Sequence, residues 1–356
     1  MISVVFSADD KYFPGLYCAM GSVIQSSRAN FNFYVLDGGI SNSSKDKLYS
    51  LIKNSPLNHR LSFIQVDASR FARFDLRRGM SPSAYSRLLM PELINDSRVI
   101  YIDSDVLVFR DLAELWNDDL LYSSILCAVA DTETLTIGED SRLVCDKLGI
   151  NSANKYFNSG FLLMDLDLLR ADNFTKKCLT FTEKYTHEVR YHDQSPINFL
   201  YYNRIKEIPA MWNTPVYTLN TVPWTVPDVV LHYTSQRPWL VGSSTYSYFF
   251  LKYSASIGLP IDVRSKSFIL GRFDSIKQNI LSPIRVILFF LKYIYYKAIS
   301  NETLCSSYQR ACSYWLRYFF LIPHLFFLQQ RNRSLIDAYF KEESRKQSCA
   351  LNKSSR

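Results

Sequence analysis

The chain has 356 residues, 47% hydrophobic and 21% charged, which excludes wholesale disorder and suits one large α/β domain with an appendage, or two domains. Its formal net charge of +8 is uneven: residues 262–356 hold 16 Lys and Arg against 6 Asp and Glu, so a near-neutral body precedes a basic tail. The seven cysteines form no Cys-x-x-Cys pair and no repeated spacing, so neither a zinc cage nor a disulfide framework organises the fold.

Ile2 to Ala8 reads as a buried strand ending at Asp9-Asp10, and no basic segment with a long apolar run precedes it as a signal peptide would. The body is therefore expected in the cytoplasm. Pro14 opens a helix through about Gln25, Phe31 to Leu36 is a second strand, residues 41–54 a second helix and Leu61 to Val66 a third strand. Strands alternating with helices at this pitch predict βαβ units in a mostly parallel sheet. A polar, arginine-rich connection over 67–83 leads to a predicted helix at Ala84 to Ile94. Arg87 within it reads either as a solvated face residue or as a cation aimed at phosphate or acids.

Arg98 to Phe109 is an almost unbroken β-branched and aromatic run, interrupted only by Asp103-Ser104-Asp105. It predicts one strand buried on both faces. An unpaired buried carboxylate is costly, so two of them call for a neutralising partner. Residues two apart in a strand point the same way, roughly 6.6 Å apart, so both acids can converge on one cation while Ser104 faces away. Oxygen ligation suits Mn²⁺ or Mg²⁺, and these ions suit a diphosphate. Asp-Xaa-Asp is a weak motif alone; its setting inside an apolar strand points to a metal.

Leu126 to Ala130 is a short strand ending at Asp131, and Asn158-Ser159-Gly160 opens an apolar run to Asp165. Asn158 reads as a turn residue or as a polar handle for a ligand hydroxyl. Residues 167–190 are a predicted helix, and His192-Asp193-Gln194-Ser195-Pro196 a polar cluster with the look of a helix start. Val229 to Tyr233 is a final strand carrying His232, a core residue by itself or a third ligand beside two acids. In open α/β sheets the ligand crevice lies at the carboxyl ends of the strands, where Asp9-Asp10 and Asp103-Ser104-Asp105 both fall.

Six segments taken in order carry a resemblance: Phe6 to Tyr12, Tyr85-Ser86-Arg87-Leu88, Tyr101 to Leu107, Phe157-Asn158-Ser159-Gly160, His192-Asp193-Gln194, and His232-Tyr233 followed by Pro238-Trp239. Over roughly residues 1–240 they resemble glycosyltransferase family 8, the retaining enzymes of the lipopolysaccharide galactosyltransferase and glucosyltransferase type. The resemblance implies a GT-A nucleotide-sugar-binding fold over 1–261. Ala8, Asp9 and Tyr12 would hold uridine, with Tyr12 stacked on the base. Asp103, Asp105 and His232 would ligate Mn²⁺, or Mg²⁺ in its place, across the diphosphate of a UDP-sugar. Arg87 and Asn158 would contact the donor, and Asp193 and Gln194 would lie near its anomeric carbon. Arg237 stands where the family carries a lysine and would bind phosphate, with Ser235 in place of a glycine and the loop one residue shorter. Lys11 stands where a small polar residue is usual.

These parts imply transfer of galactose or glucose onto a cell-surface glycan or glycolipid, lipopolysaccharide core above all. No second carboxylate is evident beside Asp193, and Gln194 is a poor nucleophile, which favours front-face attack over a covalent intermediate. A silent glycan- or nucleotide-binding scaffold of the same fold is the alternative, opposed by the intact Asp103, Asp105 and His232 set. A nucleotidyltransferase is disfavoured because no Gly-rich phosphate loop follows the first strand.

The tail holds apolar runs at Val286 to Leu291 and Tyr318 to Leu328, both short of the roughly 20 residues that span a bilayer. Lys, Arg, Tyr and Trp in one helical segment suit an anionic headgroup region. Peripheral attachment of 262–356 to the inner face of the cell membrane is expected. No recognised nucleic-acid-binding module accompanies the charge, so no nucleic-acid partner is expected.

Overall fold

A computed structural model describes residues 1–71, 74, 82–118, 120–121, 124–219, 222–234, 237–240, 244–261, 328 and 330–346. It divides into two compact units, the first comprising residues 1–216 and 227–235, the second 217–226 and 236–356.

The first unit begins with β1 (Ile2–Ala8), buried along its whole length, and α1 (Phe13–Ser26), with Pro14 in its first turn. β2 (Phe31–Asp37), α2 (Asn42–Lys53) and β3 (Arg60–Gln65) follow, with Ser41 capping α2 by accepting the Ser44 N–H. After α3 (Met90–Leu93) come β4 (Arg98–Ile102), β5 (Val106–Val108) and α4 (Leu112–Trp116). The unit continues with β6 (Leu126–Ala130), α5 (Ile137–Leu148) and β7 (Phe157–Asp165). It then runs through α6 (Leu166–Ala171), α7 (Phe174–Tyr185), α8 (Gln194–Tyr201) and β8 (Ile205–Glu207) to β9 (Thr214–Pro215) and β10 (Val230–His232).

Seven strands form one sheet in the order β3-β2-β1-β4-β7-β6-β8. β3, β2, β1 and β4 are parallel, β7 runs antiparallel to both β4 and β6, and β8 is parallel to β6. The mostly parallel α/β architecture expected from strand and helix alternation is present. A second sheet, β5-β10-β9, pairs Val106 opposite His232.

Three predicted elements are corrected. The run from Arg98 to Phe109 is two strands in two sheets, not one. β4 ends as Asp103 N–H donates to the Gly160 carbonyl at 2.8 Å, and Tyr233 N–H donates to the Asp105 carbonyl at 2.9 Å as the second sheet begins. Ser104 fills the crossing, its hydroxyl donating to the Ser7 carbonyl at the end of β1. The helix expected at 84–94 is a 3-10 turn over Pro82–Leu89 followed by the four residues of α3. Pro91 has no N–H to close an α-helical bond back to Arg87. The helix expected at 167–190 is split into α6 and α7 at Asn173, whose φ of 55° is left-handed. An asparagine tolerates that conformation, and it ends one helix before the next starts.

The second unit contains α9 (Thr245–Ser256) and a helix over 330–346. Trp224 packs on Phe249 and Tyr339, and Asn332, fully buried, accepts from the Trp224 N–H at 2.9 Å. The tail segments at 286–291 and 318–327 lie outside the described residues. Among the described residues no helix is long and apolar enough to cross a membrane.

Candidate active site

The break between β4 and β5 carries Asp103 and Asp105 out of the central sheet just where β10 brings His232 alongside. One ligand atom from each of these three residues lies within 4.8 Å of the others. His232 Nε2 is 3.4 Å from Asp105 Oδ1 and 4.0 Å from Asp103 Oδ2. The acids thus converge as expected, but by leaving the strand at a turn rather than by sharing one of its faces. Two carboxylate oxygens and one imidazole nitrogen on hard-to-borderline donors fit a divalent cation.

Gly160 makes room for this cluster. A Cβ there would lie 2.7 Å from Asp103 Oδ2 and closer still to the His232 ring. Its place in β7, between β4 and β6, leaves the backbone no freedom to retreat.

Arg87 is buried and holds two acids at once. Its Nη2 is 2.7 Å from Asp103 Oδ1 and its Nε 2.9 Å from Asp193 Oδ2. Nη1 donates to the Ser159 carbonyl at 2.7 Å and to the Ser159 hydroxyl at 2.9 Å, and the guanidinium lies 4.6 Å over the Tyr101 ring. Burial works against the guanidinium charge, yet Asp103 and Asp193 outweigh it and raise the arginine well above its ordinary value. Tyr101 OH also donates to Asp103 Oδ1, at 2.7 Å, so that oxygen is engaged away from His232 and Oδ2 is the one turned toward it. Asp193 occupies the N-cap position of α8, but its carboxylate makes no capping bond; it goes to Arg87 instead. Burial raises the Asp193 carboxyl, with Arg87 opposing and Asp103 adding to the rise.

Gln194 and Asn158 are fixed by backbone. Gln194 Oε1 accepts the Ser159 N–H at 2.8 Å, and Gln194 Nε2 donates to Asp131 Oδ2 at 3.3 Å. Asn158 Oδ1 accepts the Gly160 N–H at 2.9 Å and Asn213 Nδ2 at 2.8 Å, while Asn158 Nδ2 donates to Asp131 Oδ2 at 3.1 Å. At the carboxyl end of β1, Asp9 Oδ1 accepts the N–H groups of Lys11 and Tyr12 and holds that turn. Arg237 falls in the second unit, where its carbonyl accepts the Leu240 N–H at 2.8 Å.

Sequence reasoning did not single out Asp131, Tyr101, Ser159 or Asn213. Asp131 carried a usable signal, as an acid at the carboxyl end of a strand in the same sheet, and it places a second carboxylate beside Gln194. Asn213 carried none: it lies 19 residues before His232 and reaches it only through the β9–β10 pairing.

The fold and this cluster define a GT-A glycosyltransferase. A solved structure of the galactosyltransferase LgtC in complex with donor and acceptor sugar analogues superposes with a TM-score of 0.63 at 28% identity, covering 74% of this chain and 99% of that one. The glycosyl transferase family 8 model matches residues 3–241, and the chain belongs to that family. General stress protein A of Bacillus subtilis is 29% identical over 62% of this chain and 76% of its own length. Lipopolysaccharide 1,2-glucosyltransferase of Escherichia coli is 23% identical over 67% of this chain and 72% of its own.

Proposed function

We propose that this glycosyltransferase moves galactose or glucose from a UDP-sugar to a cell-surface glycan or glycolipid acceptor, lipopolysaccharide core above all, with retention of anomeric configuration. The observation that carries the reading is the convergence of Asp103, Asp105 and His232 within 4.8 Å beside the Arg87–Asp193 pair. Asp103, Asp105 and His232 would hold Mn²⁺, or Mg²⁺, which supplies Lewis-acid stabilisation of a diphosphate leaving group.

The chain's own residues do the rest. Ala8, Asp9 and Tyr12 present the carboxyl end of β1 to the nucleotide, with the Tyr12 ring assigned to stack on uracil by its match to the family motif. Arg87 pairs with the buried Asp193 and the partly buried Asp103, and opposes the rise that burial imposes on the Asp193 carboxyl, which lies beside the reacting carbon where positive charge develops as the bond to UDP lengthens. Gln194 and Asn158 use their remaining amide hydrogens to orient sugar hydroxyls. Arg237, by its match to the family motif, is assigned to the diphosphate. Asp193 and Asp131 each accept hydrogen bonds from buried donors, which blunts them as nucleophiles. We therefore keep front-face attack: the acceptor hydroxyl oxygen bonds to the anomeric carbon, the bond to the UDP oxygen breaks, and the hydroxyl proton passes to the departing diphosphate.

Residues 1–261 form the catalytic part in this reading. The basic, aromatic tail over 262–356 attaches it to the anionic inner face of the cell membrane, supported by composition alone.

The test is a panel of UDP-sugars with Mn²⁺, scored by UDP release with and without a glycan acceptor. One of UDP-galactose and UDP-glucose is expected to be turned over. UDP binding without turnover of any donor would instead give the scaffold reading. For the tail, the full chain should sediment with phosphatidylglycerol vesicles and not with phosphatidylcholine ones; equal recovery from both overturns the attachment.

A further inference from the structure

An imidazole can ligate a cation only through a nitrogen that carries no proton, so the tautomer of His232 decides whether Nε2 is available. The structure contains what fixes it. The Gly160 backbone N–H is a donor in every state of the protein, and it points at Asn158 from 2.9 Å. The Asn158 atom facing it must be the carbonyl oxygen, which leaves the amide nitrogen facing the Asp131 carboxylate, an acceptor, at 3.1 Å. That same Asn158 oxygen also faces Asn213 at 2.8 Å, so Asn213 turns its amide nitrogen there and its oxygen toward His232 Nδ1, also at 2.8 Å. His232 stands between two acceptors, the Asn213 oxygen at 2.8 Å and Asp105 Oδ1 at 3.4 Å, and the nearer one takes the single hydrogen of the neutral ring. His232 Nδ1 carries it, and the Nε2 lone pair is left facing Asp105.

We propose that Asn213 and Asn158 are positioning residues that transmit the orientation of one β7 backbone N–H, through two side-chain amides, into the Nδ1–H tautomer of His232. The cation-binding role of His232 is the reading given above, and the proposal rests on it only for the affinity arm of its test. Burial strengthens the device: Asn213 is 3% exposed and His232 4%, so water has little opportunity to offer an alternative partner. The same two amides end at Asp131, which Gln194 also contacts, so the tautomer of the candidate metal ligand and the amide orientation beside the candidate sugar site belong to one bonded chain.

The first measurement needs no metal and reads the tautomer in the wild-type protein, a variant serving only to assign the signals. In metal-free protein labelled with ¹⁵N-histidine, at a pH where the imidazole is neutral, two-bond ¹H–¹⁵N correlations distinguish the tautomers, and the His232 signals are those missing in His232→Gln. The Nδ1–H form is expected; the Nε2–H form overturns the proposal whatever the metal does. The second measurement is Mn²⁺ affinity by calorimetry. Asn213→Ala should weaken Mn²⁺ by roughly 10–100-fold, the usual scale for loss of a partner behind a histidine ligand. Asn213→Asp loses the donor to Asn158 but keeps an oxygen acceptor for Nδ1–H, and should retain clearly more affinity than Asn213→Ala. Equal affinity in Asn213→Ala, or equal loss in both variants, overturns the proposal. If the wild-type protein binds no Mn²⁺, the metal reading fails and the tautomer spectrum still decides this one.

Discussion

Gly160 lies directly against His232: a single added methyl would overlap the imidazole and come within 2.7 Å of Asp103 Oδ2. Neither neighbour can give way, since Asn213 holds the ring and Arg87 and Tyr101 hold the carboxylate. Gly160→Ala should therefore lower Mn²⁺ affinity at least tenfold while costing the fold about 1–3 kcal/mol, the range for overpacking a tight site. Calorimetric titration and a denaturant midpoint measure the two effects separately.

Arg87 is the counter-charge for Asp103 and Asp193, at 2.7 and 2.9 Å. Arg87→Met keeps bulk and removes the charge, leaving the buried Asp193 and the partly buried Asp103 without it. Breaking a buried ion pair costs about 3–5 kcal/mol. Stability in urea should fall by that amount, and donor turnover should be lost along with it. Arg87→Met with Asp193→Asn should recover part of the stability and none of the turnover.

In the metal-free protein burial pushes the His232 imidazole down, and Asp105 and Asp103 outweigh it to raise it above its ordinary value of 6.5. A raised histidine contributes stability that is full below 6.5 and is lost as pH climbs through the higher folded value. The Tm of chelated wild-type protein should fall across that window relative to His232→Gln. Mn²⁺ affinity should rise over the same window, because a cation and a proton compete for Nε2. A Tm difference that does not change with pH contradicts the assignment.

Asn332, on the helix over 330–346, accepts the Trp224 N–H and donates to the Val222 carbonyl at 3.3 Å from a fully buried position. Asp337 on the same helix pairs with Lys252 at 2.6 Å and accepts from Tyr248 OH at 2.8 Å. Asn332→Leu orphans the buried Trp224 N–H and releases the part-buried Val222 carbonyl, and should cost roughly 1–3 kcal/mol. Asp337→Asn, at a partly exposed pair, should cost about 1 kcal/mol or less. Chemical denaturation of the two variants checks the order.

The sequence by itself determined the alternation of strands and helices, because a buried strand and an amphipathic helix each announce their period in a dozen residues. It also determined which residue types were candidates for the site: Asp103, Asp105, His232, Arg87 and Asp193 were all singled out by local pattern and family resemblance. Tertiary structure decided how they meet. The run from Arg98 to Phe109 is uniformly apolar, so nothing local marks Asp103 as the residue where the chain changes sheets; the switch exists because β7 pairs on one side of it and β10 on the other. Asp193 has the local signature of a helix cap and spends its carboxylate on Arg87, more than a hundred residues away in the chain. Asn213 has no signature at all. Its role comes from β9 lying beside β10, a long-range pairing that no short window of sequence encodes.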